Sequence, residues 1–311
     1  MFKKLSNLKL IGILVILGAA YLILEFTANS GRSRSFREVL VDIDTAKVNK
    51  ILISKGDKQI QLDKEGGNWE LLLDNGKKVP AISSNVRNAL STLNTIKPSR
   101  IVARQSEKWN EYQVDTAGIQ VQVFEGNTKS LDIIIGKFGV KGQRQFYTHV
   151  RLTEDDEVYI ADNFMGISFP SDAASFRNKQ LVRFVIDSLT GVQYDYPADT
   201  SFTVLKTIDN NWVIDGNSTD SASTVRTLRS FRFVSGRDFV DNINFGELGT
   251  ELLTLTLNLK SEEDIVVKAY SHPQHQWILN STLNPEAYFS DDGSNLIKKL
   301  YKYQQEYFAN N

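Results

Sequence analysis

The sequence predicts an α+β protein: an N-terminal transmembrane helix followed by two tandem, related modules of antiparallel sheet with packed helices. Three observations lead there. Residues 10–24, LIGILVILGAAYLIL, carry no charge. Two tryptophan-centred stretches, GNWELLLDNG at 67–76 and NNWVIDGN at 210–217, echo one another. Two later stretches, GIQVQVFEG and LLTLTLNLK, alternate apolar and polar residues strictly, the period-two pattern of half-buried strands. At 311 residues the chain exceeds the usual single-domain size, so two cores are expected.

The first element rests on hydrophobicity. Lys3, Lys4 and Lys9 precede a 15-residue run holding ten Leu, Ile or Val side chains, each favouring insertion by roughly 0.5 kcal/mol. As a helix the run spans about 22 Å against about 30 Å of hydrocarbon, so Lys9 and Glu25 are placed near the two interfaces. Gly18-Ala19-Ala20 offers small residues for a signal peptidase, but the apolar run continues through Tyr21 to Leu24. A retained anchor is therefore the expectation and a cleaved signal the rival. Arg32, Arg34 and Arg37 match the three near-side lysines in number, so charge alone leaves orientation tied. The acid-free tail and acidic far flank tip the expectation towards a body outside the cytoplasm.

The modules rest on self-similarity. QIQLDK precedes Trp69 and SFTVLK precedes Trp212. Each tryptophan leads to a helical pattern, SSNVRNALSTLNTI with Ser83 or Ser84 as N-cap and STVRTLRSFRFV in the second copy, aligning Val86 with Val225. Two hairpins follow, SLDIIIGK against DIVVKAY, with Ile133 opposite Val267. Then QFYTHVRL faces HQWILNST and EVYIADN faces EAYFSDD, pairing Tyr147 with Trp277 and Asp162 with Asp291. The offset between copies shrinks steadily from 143 to 129 residues, as shorter loops in the second copy would produce. The segment SNLIKKLYKYQQEYF from Ser294 reads as a closing helix. Pro170 and the Ser/Asp/Ala cluster of FPSDAASFRNKQLVRF put the boundary near residues 170–186. The expected division is 1–30 for tail and anchor, 31–170 for the first module and 171–311 for the second.

Composition bounds the chemistry. A net charge of −1 leaves no footprint for nucleic acid, and the absence of cysteine removes disulfides, thiolate metal sites and cysteine nucleophiles. His149, His272 and His275 would have to converge with carboxylates to bind a metal; Pro273 breaks any shared helical face, and a hairpin loop is expected there. Glu154 to Glu157 lacks the spaced oxygens and central glycine of a calcium loop and reads as a solvated turn. Gly136, Gly139 and Gly142 resemble a phosphate cradle but lead into a strand, so they read as a flexible hairpin loop. Trp109 and Tyr112 to Asp115 could line a groove, although packing under a turn is the plainer reading. No residue is assigned a catalytic, cofactor-binding or metal-binding role, and no cofactor is expected.

Taken together, the anchor, the segment RSFREVLVDIDTAKVNKILISK, the Lys64–Trp69–Leu71 spacing, the run EYQVDTAGIQVQVFEGN and the FRNKQL connector resemble domain-of-unknown-function family 4340. The resemblance covers nearly the whole body. It implies a bacterial membrane-anchored envelope protein of a kind often encoded beside ABC-type transporter components, some of the gliding-motility export type, and it brings no catalytic residues. The expectation is a non-enzymatic, extracytoplasmic accessory or scaffold protein in the bacterial inner membrane. Its partners would be the membrane, through the N-terminal helix, and ABC-type transporter subunits, with the body periplasmic. The alternative is a ligand- or glycan-binding envelope module using the cleft between the repeats; a third reading is a hydrolase with residues dispersed along the chain.

Overall fold

The computed structural model describes residues 36–308 apart from 143, 198, 199, 244 and 245. The run at residues 10–24 and its flanks lie outside the described residues.

Alternating apolar residues build the first sheet. Its strands are β1 (Val48–Lys55), β2 (Lys58–Glu65), β3 (Asn68–Leu72), β4 (Lys78–Pro80), β5 (Pro98–Ala103), β6 (Ile119–Glu125), β7 (Thr128–Lys141), β8 (Gln145–Leu152) and β9 (Val158–Asp162). They lie antiparallel in the order β4-β3-β2-β1-β6-β7-β8-β9-β5. Helix α1 (Ser83–Leu93) turns Val86, Ala89, Leu90 and Leu93 towards the core, the spacing of one helical face. A short helix, α2 (Trp109–Tyr112), packs with Val114 on the opposite face of the sheet.

The second half begins with β10 (Gln180–Arg183). It continues through β11 (Leu189–Asp195), β12 (Phe202–Lys206), β13 (Trp212–Ile214), β14 (Asn217–Ser218), helix α3 (Ser221–Phe231), β15 (Phe233–Ser235), β16 (Glu251–Leu259), β17 (Ile265–Tyr270), β18 (Ile278–Ser281), β19 (Asn284–Ser290) and helix α4 (Leu296–Leu300). Its sheet runs β14-β13-β12-β11-β16-β17-β18-β19, while β10 and β15 pair separately. Strand for strand this is the order of the first sheet. Even the far edge corresponds: Phe239 bridges Phe289 of β19, and Val240 N–H donates to Tyr288 O at 2.9 Å, where β5 lies along β9 in the first half.

The tryptophans occupy matching places. Trp69 pairs with Lys64 across β2 and β3, Trp212 with Lys206 across β12 and β13, and the rings are 4% and 5% exposed. Each lysine ammonium lies over its ring, at 6.0 and 5.7 Å from the centroid. Each tryptophan carbonyl accepts a bond from the residue just before the helix cap, Ala81 N–H at 2.8 Å and Thr219 N–H at 2.9 Å. A strand-ending tryptophan therefore sets where each helix starts.

Apolar side chains sort into two main clusters, one running from Leu40 to Phe176 and the other from Leu181 to Tyr307. Between them the chain is held by Arg177, 6% exposed, whose guanidinium forms two parallel bonds to Asp241 at 2.7 and 2.8 Å. The same guanidinium stacks 3.6 Å from the Phe239 ring. Asn75 adds bonds to Asp241 O at 3.1 Å and Asn242 Oδ1 at 3.0 Å, and Asn284 donates to Asn178 O at 2.6 Å.

The expected class needs correction. The described chain is 43% strand and 18% helix, so it is mostly antiparallel sheet rather than α+β with a transmembrane helix. Among the described residues no helix is long and apolar enough to cross a membrane. The closing helix expected from Ser294 is also shorter than its pattern suggested. Asn295 adopts a left-handed φ of 55°, α4 ends at Leu300, and a 3-10 turn at Gln304–Tyr307 follows. The reason lies in two tyrosines: Tyr301 leaves helical geometry as its hydroxyl bonds to Leu253 O and Val267 O, and Tyr307 must enter the core.

Replacing Trp69 or Trp212 by Ala is expected to cost about 3–5 kcal/mol in each case, read from urea unfolding midpoints; a cost near zero at one site would show the two environments to be unlike. Arg177→Ala strands Asp241 and is expected to cost about 3 kcal/mol. In calorimetry it should split a joint unfolding transition into two, and one unaltered transition would show that this contact does not couple the halves.

Candidate functional site

The residues singled out in the sequence do not assemble into one site. His149 lies in β8 of the first half, His272 and His275 in the β17–β18 loop of the second, their own rings 5.1 Å apart. Among the described residues no group of three or more His, Asp or Glu side chains is placed to hold a metal ion. His149 is buried between Tyr112 and Tyr147, ring centroids 4.7 and 5.4 Å away, with Nδ1 at 2.8 Å from Lys137 O, which accepts the bond. Burial drives its pKa below the ordinary value, favouring the neutral ring.

Two turns differ from expectation. In the Glu154–Glu157 run only part is solvated: Asp155 and Glu157 are 9% and 2% exposed. Glu157 accepts from Arg104 Nη1 at 2.7 Å and from Tyr159 Oη at 2.6 Å, while Asp155 faces Arg37 Nε at 3.2 Å. Charge density in the sequence concealed this inward alternation. Nor do Gly136 and Gly139 belong to a loop; β7 runs through both to Lys141. A side chain at Gly136 would strike the α2 backbone at Tyr112 O, and one at Gly139 would strike the Tyr147 ring. These are close-packing glycines. Trp109 does pack under a turn, with the Arg151 guanidinium 3.7 Å from its ring and Arg151 donating to Val114 O, Leu152 O, Thr153 O and Asp155 O.

One concave feature lies wholly within the second half. A depression of about 960 Å³ is bounded by the end of β11 at Tyr196, by Trp277 before β18, and by α4 and the segment after it at Tyr301 and Tyr303. The sequence explains this geometry. Asp291, directly after β19, accepts the backbone N–H groups of Leu296 and Ile297 and so caps α4 against the sheet. Tyr301 then dives inward, its hydroxyl donating to Val267 O at 3.0 Å and Leu253 O at 3.3 Å. Tyr196 donates to Lys302 O at 2.5 Å. Burial pushes both phenols above the ordinary range, so they remain protonated donors.

Those hydroxyls are spent, and ring surface faces the depression. Of the four charged groups that line it among the described residues, Asp291 is committed to capping α4; Glu306 accepts from Tyr303 N–H at 2.9 Å and lies 3.8 Å from Lys302. His275 and the Gln276 N–H hydrogen-bond Asp292 nearby and hold its carboxyl below the usual range. The arrangement is suited to burying a face of a ligand and contacting its edges. In the first half the stretch after β9 is buried at Phe164 and Phe169, and Thr148 bonds Phe164 O and Gly166 N–H.

A second surface combines charge and exposed apolar area. Phe233 and Val185 are 61% and 68% exposed. They border a groove of about 490 Å³ with Arg183, Arg229 and Arg232, none of which forms an ion pair with a described residue; Asp187 is its acidic member.

Proton uptake on unfolding sets a test of the first half. The folded His149 pKa lies below its unfolded value of about 6.5, so stability is complete above that pH and falls as pH drops towards the folded value. His149→Gln is expected to flatten this slope in denaturant titrations between neutral and mildly acid pH; an unchanged slope would assign the acid sensitivity elsewhere.

No curated protein and no solved structure matches the chain. A family model does, over residues 69–244, more than half its length and spanning parts of both sheets together with the Arg177 connector. The chain belongs to the domain-of-unknown-function family DUF4340.

Proposed function

We propose that this is a non-catalytic accessory or scaffold protein of the bacterial envelope, working outside the cytoplasm at the inner membrane beside an ABC-type transporter or gliding-type export system. The observation that supports it is the exposed groove at Phe233 and Val185. Apolar side chains left in water among three arginines that form no ion pair with a described residue suit a partner offering apolar and acidic residues, since exposed apolar area with matching charge marks association surfaces. The Arg177 clamp supplies the second requirement of a scaffold, a fixed relation between two sheets. Cross-linking in the native bacterium, followed by purification of the full chain, is expected to recover a transporter subunit. Arg229→Glu combined with Arg232→Glu should reduce that recovery several-fold; recovery of no transporter subunit would sink the partner claim.

A second reading, a ligand- or glycan-binding envelope module, is favoured by the aromatic depression. Its residues come from the second half alone, so the site proposed for this reading is not a cleft between the repeats.

A further inference from the structure

We infer that the depression framed by Tyr196, Trp277, Tyr301 and Tyr303 is a binding site for a short, neutral saccharide chain. The inference rests on the ligand-binding reading above and names its ligand. Three features select this class.

The first is the floor. Trp277 and Tyr196 are half-buried, Tyr301 is buried and Tyr303 is 68% exposed, so ring surface runs from the sheet out to the rim. Tyr196 and Tyr301 lie 6.2 Å apart between centroids and have turned their hydroxyls away to backbone carbonyls. What remains available is ring face, which suits the C–H faces of a pyranose. The second is the edge. The Trp277 indole N–H, the side-chain amides of Gln276 and Gln305 and the Lys298 ammonium line the space without a hydrogen-bond partner among the described residues. Directional donors around an apolar floor are the arrangement of a specific small-molecule pocket, and they match ring hydroxyls and glycosidic oxygens. The third is charge. Among the described residues that line it, Asp291, Glu306 and Lys302 are engaged with the protein itself and Lys298 is the one cation left, too little to select a polyanion. At about 960 Å³ the space admits more than one sugar ring.

The test is a tryptophan-fluorescence titration of the full chain with chitotriose, cellotriose and maltotriose. Trp69 and Trp212 are buried and Trp109 sits in the other half, so a response through the depression must come from Trp277. At least one trisaccharide is expected to shift the emission, with Trp277→Phe abolishing the response. Tyr303→Ala, at an exposed position that leaves folding intact, should weaken binding about tenfold, checked by calorimetric titration. No response to any of the three sugars, or one unaltered in both variants, overturns the proposal. A parallel titration with sodium octanoate separates the two levels. Octanoate binding lost in Trp277→Phe, without sugar binding, would overturn the saccharide class and keep the ligand-binding reading; silence from both probe types would overturn both.

Discussion

The structure turns on one aromatic side chain and its neighbour, Phe176 and Arg177. Phe176, fully buried, plugs the first core, and its carbonyl accepts the Ile82 N–H at 2.7 Å, satisfying a donor at the start of α1 that would otherwise be left without a partner. That bond fixes the backbone where Arg177 leaves it. Because Arg177 is itself nearly buried, its charge is tolerable only with Asp241 in bidentate contact and Phe239 beneath it. Closing the first core and attaching the second are thus one event in the chain. A shift of Phe176 would withdraw the guanidinium from both its partners.

The same device recurs at the other end. Tyr307, also fully buried, passes its carbonyl to the Asp220 N–H at 3.1 Å, and the Asp220 side chain accepts from Ser223 N–H at 2.7 Å. Its hydroxyl meets that of Tyr194 at 2.7 Å, giving the phenol a partner that Phe176 does not need. Each half thus ties its closing turn to the start of its helix, and the tryptophan carbonyl one residue earlier ties that helix to the sheet. Segments far apart in sequence are pinned at both ends of the helix entry, leaving the stretch between β19 and Tyr307 free to diverge from its counterpart. The aromatic depression occupies that stretch.

Much of the strand architecture was legible because period-two alternation reports a half-buried sheet directly. Val121 and Val123 face inward with Leu255 and Leu257, as their spacing requires. The Ile133 to Ile135 run was less readable: the α2 segment covers the second face of the first sheet, so Ile134 is buried there while its neighbours point to the main core. The closing segments were misread for a different reason. Apolar spacing in LIKKLYKYQQEYF fits a helix, but the spacing does not reveal that Tyr301 and Tyr307 find oxygen partners on other elements, and those bonds favour a break. A missed cue for Arg177 was present: Phe36-Arg37 and Phe176-Arg177 stand at the head of the two halves, each arginine now paired with aspartate. The aromatic depression had no local signature, since Tyr196, Trp277 and Tyr301 are brought together by tertiary contacts.

The matching strand order of the two halves separates the elements that build the core from those that shape the surface. The elements that set the core, namely the strand-ending tryptophan, the amphipathic helix and the aromatic plug, occur in both halves. The aromatic depression and the arginine groove are lined by residues of the second half. A residue such as Tyr303 can change without altering the sheet because Tyr307, four positions on, carries the structural bond. Conversely, Tyr301 serves both roles: its ring faces the depression while its hydroxyl secures β16 and β17 through Leu253 O and Val267 O. Loss of that hydroxyl would leave two strand carbonyls to find other donors, so the floor of the depression is constrained by stability even where its rim is not.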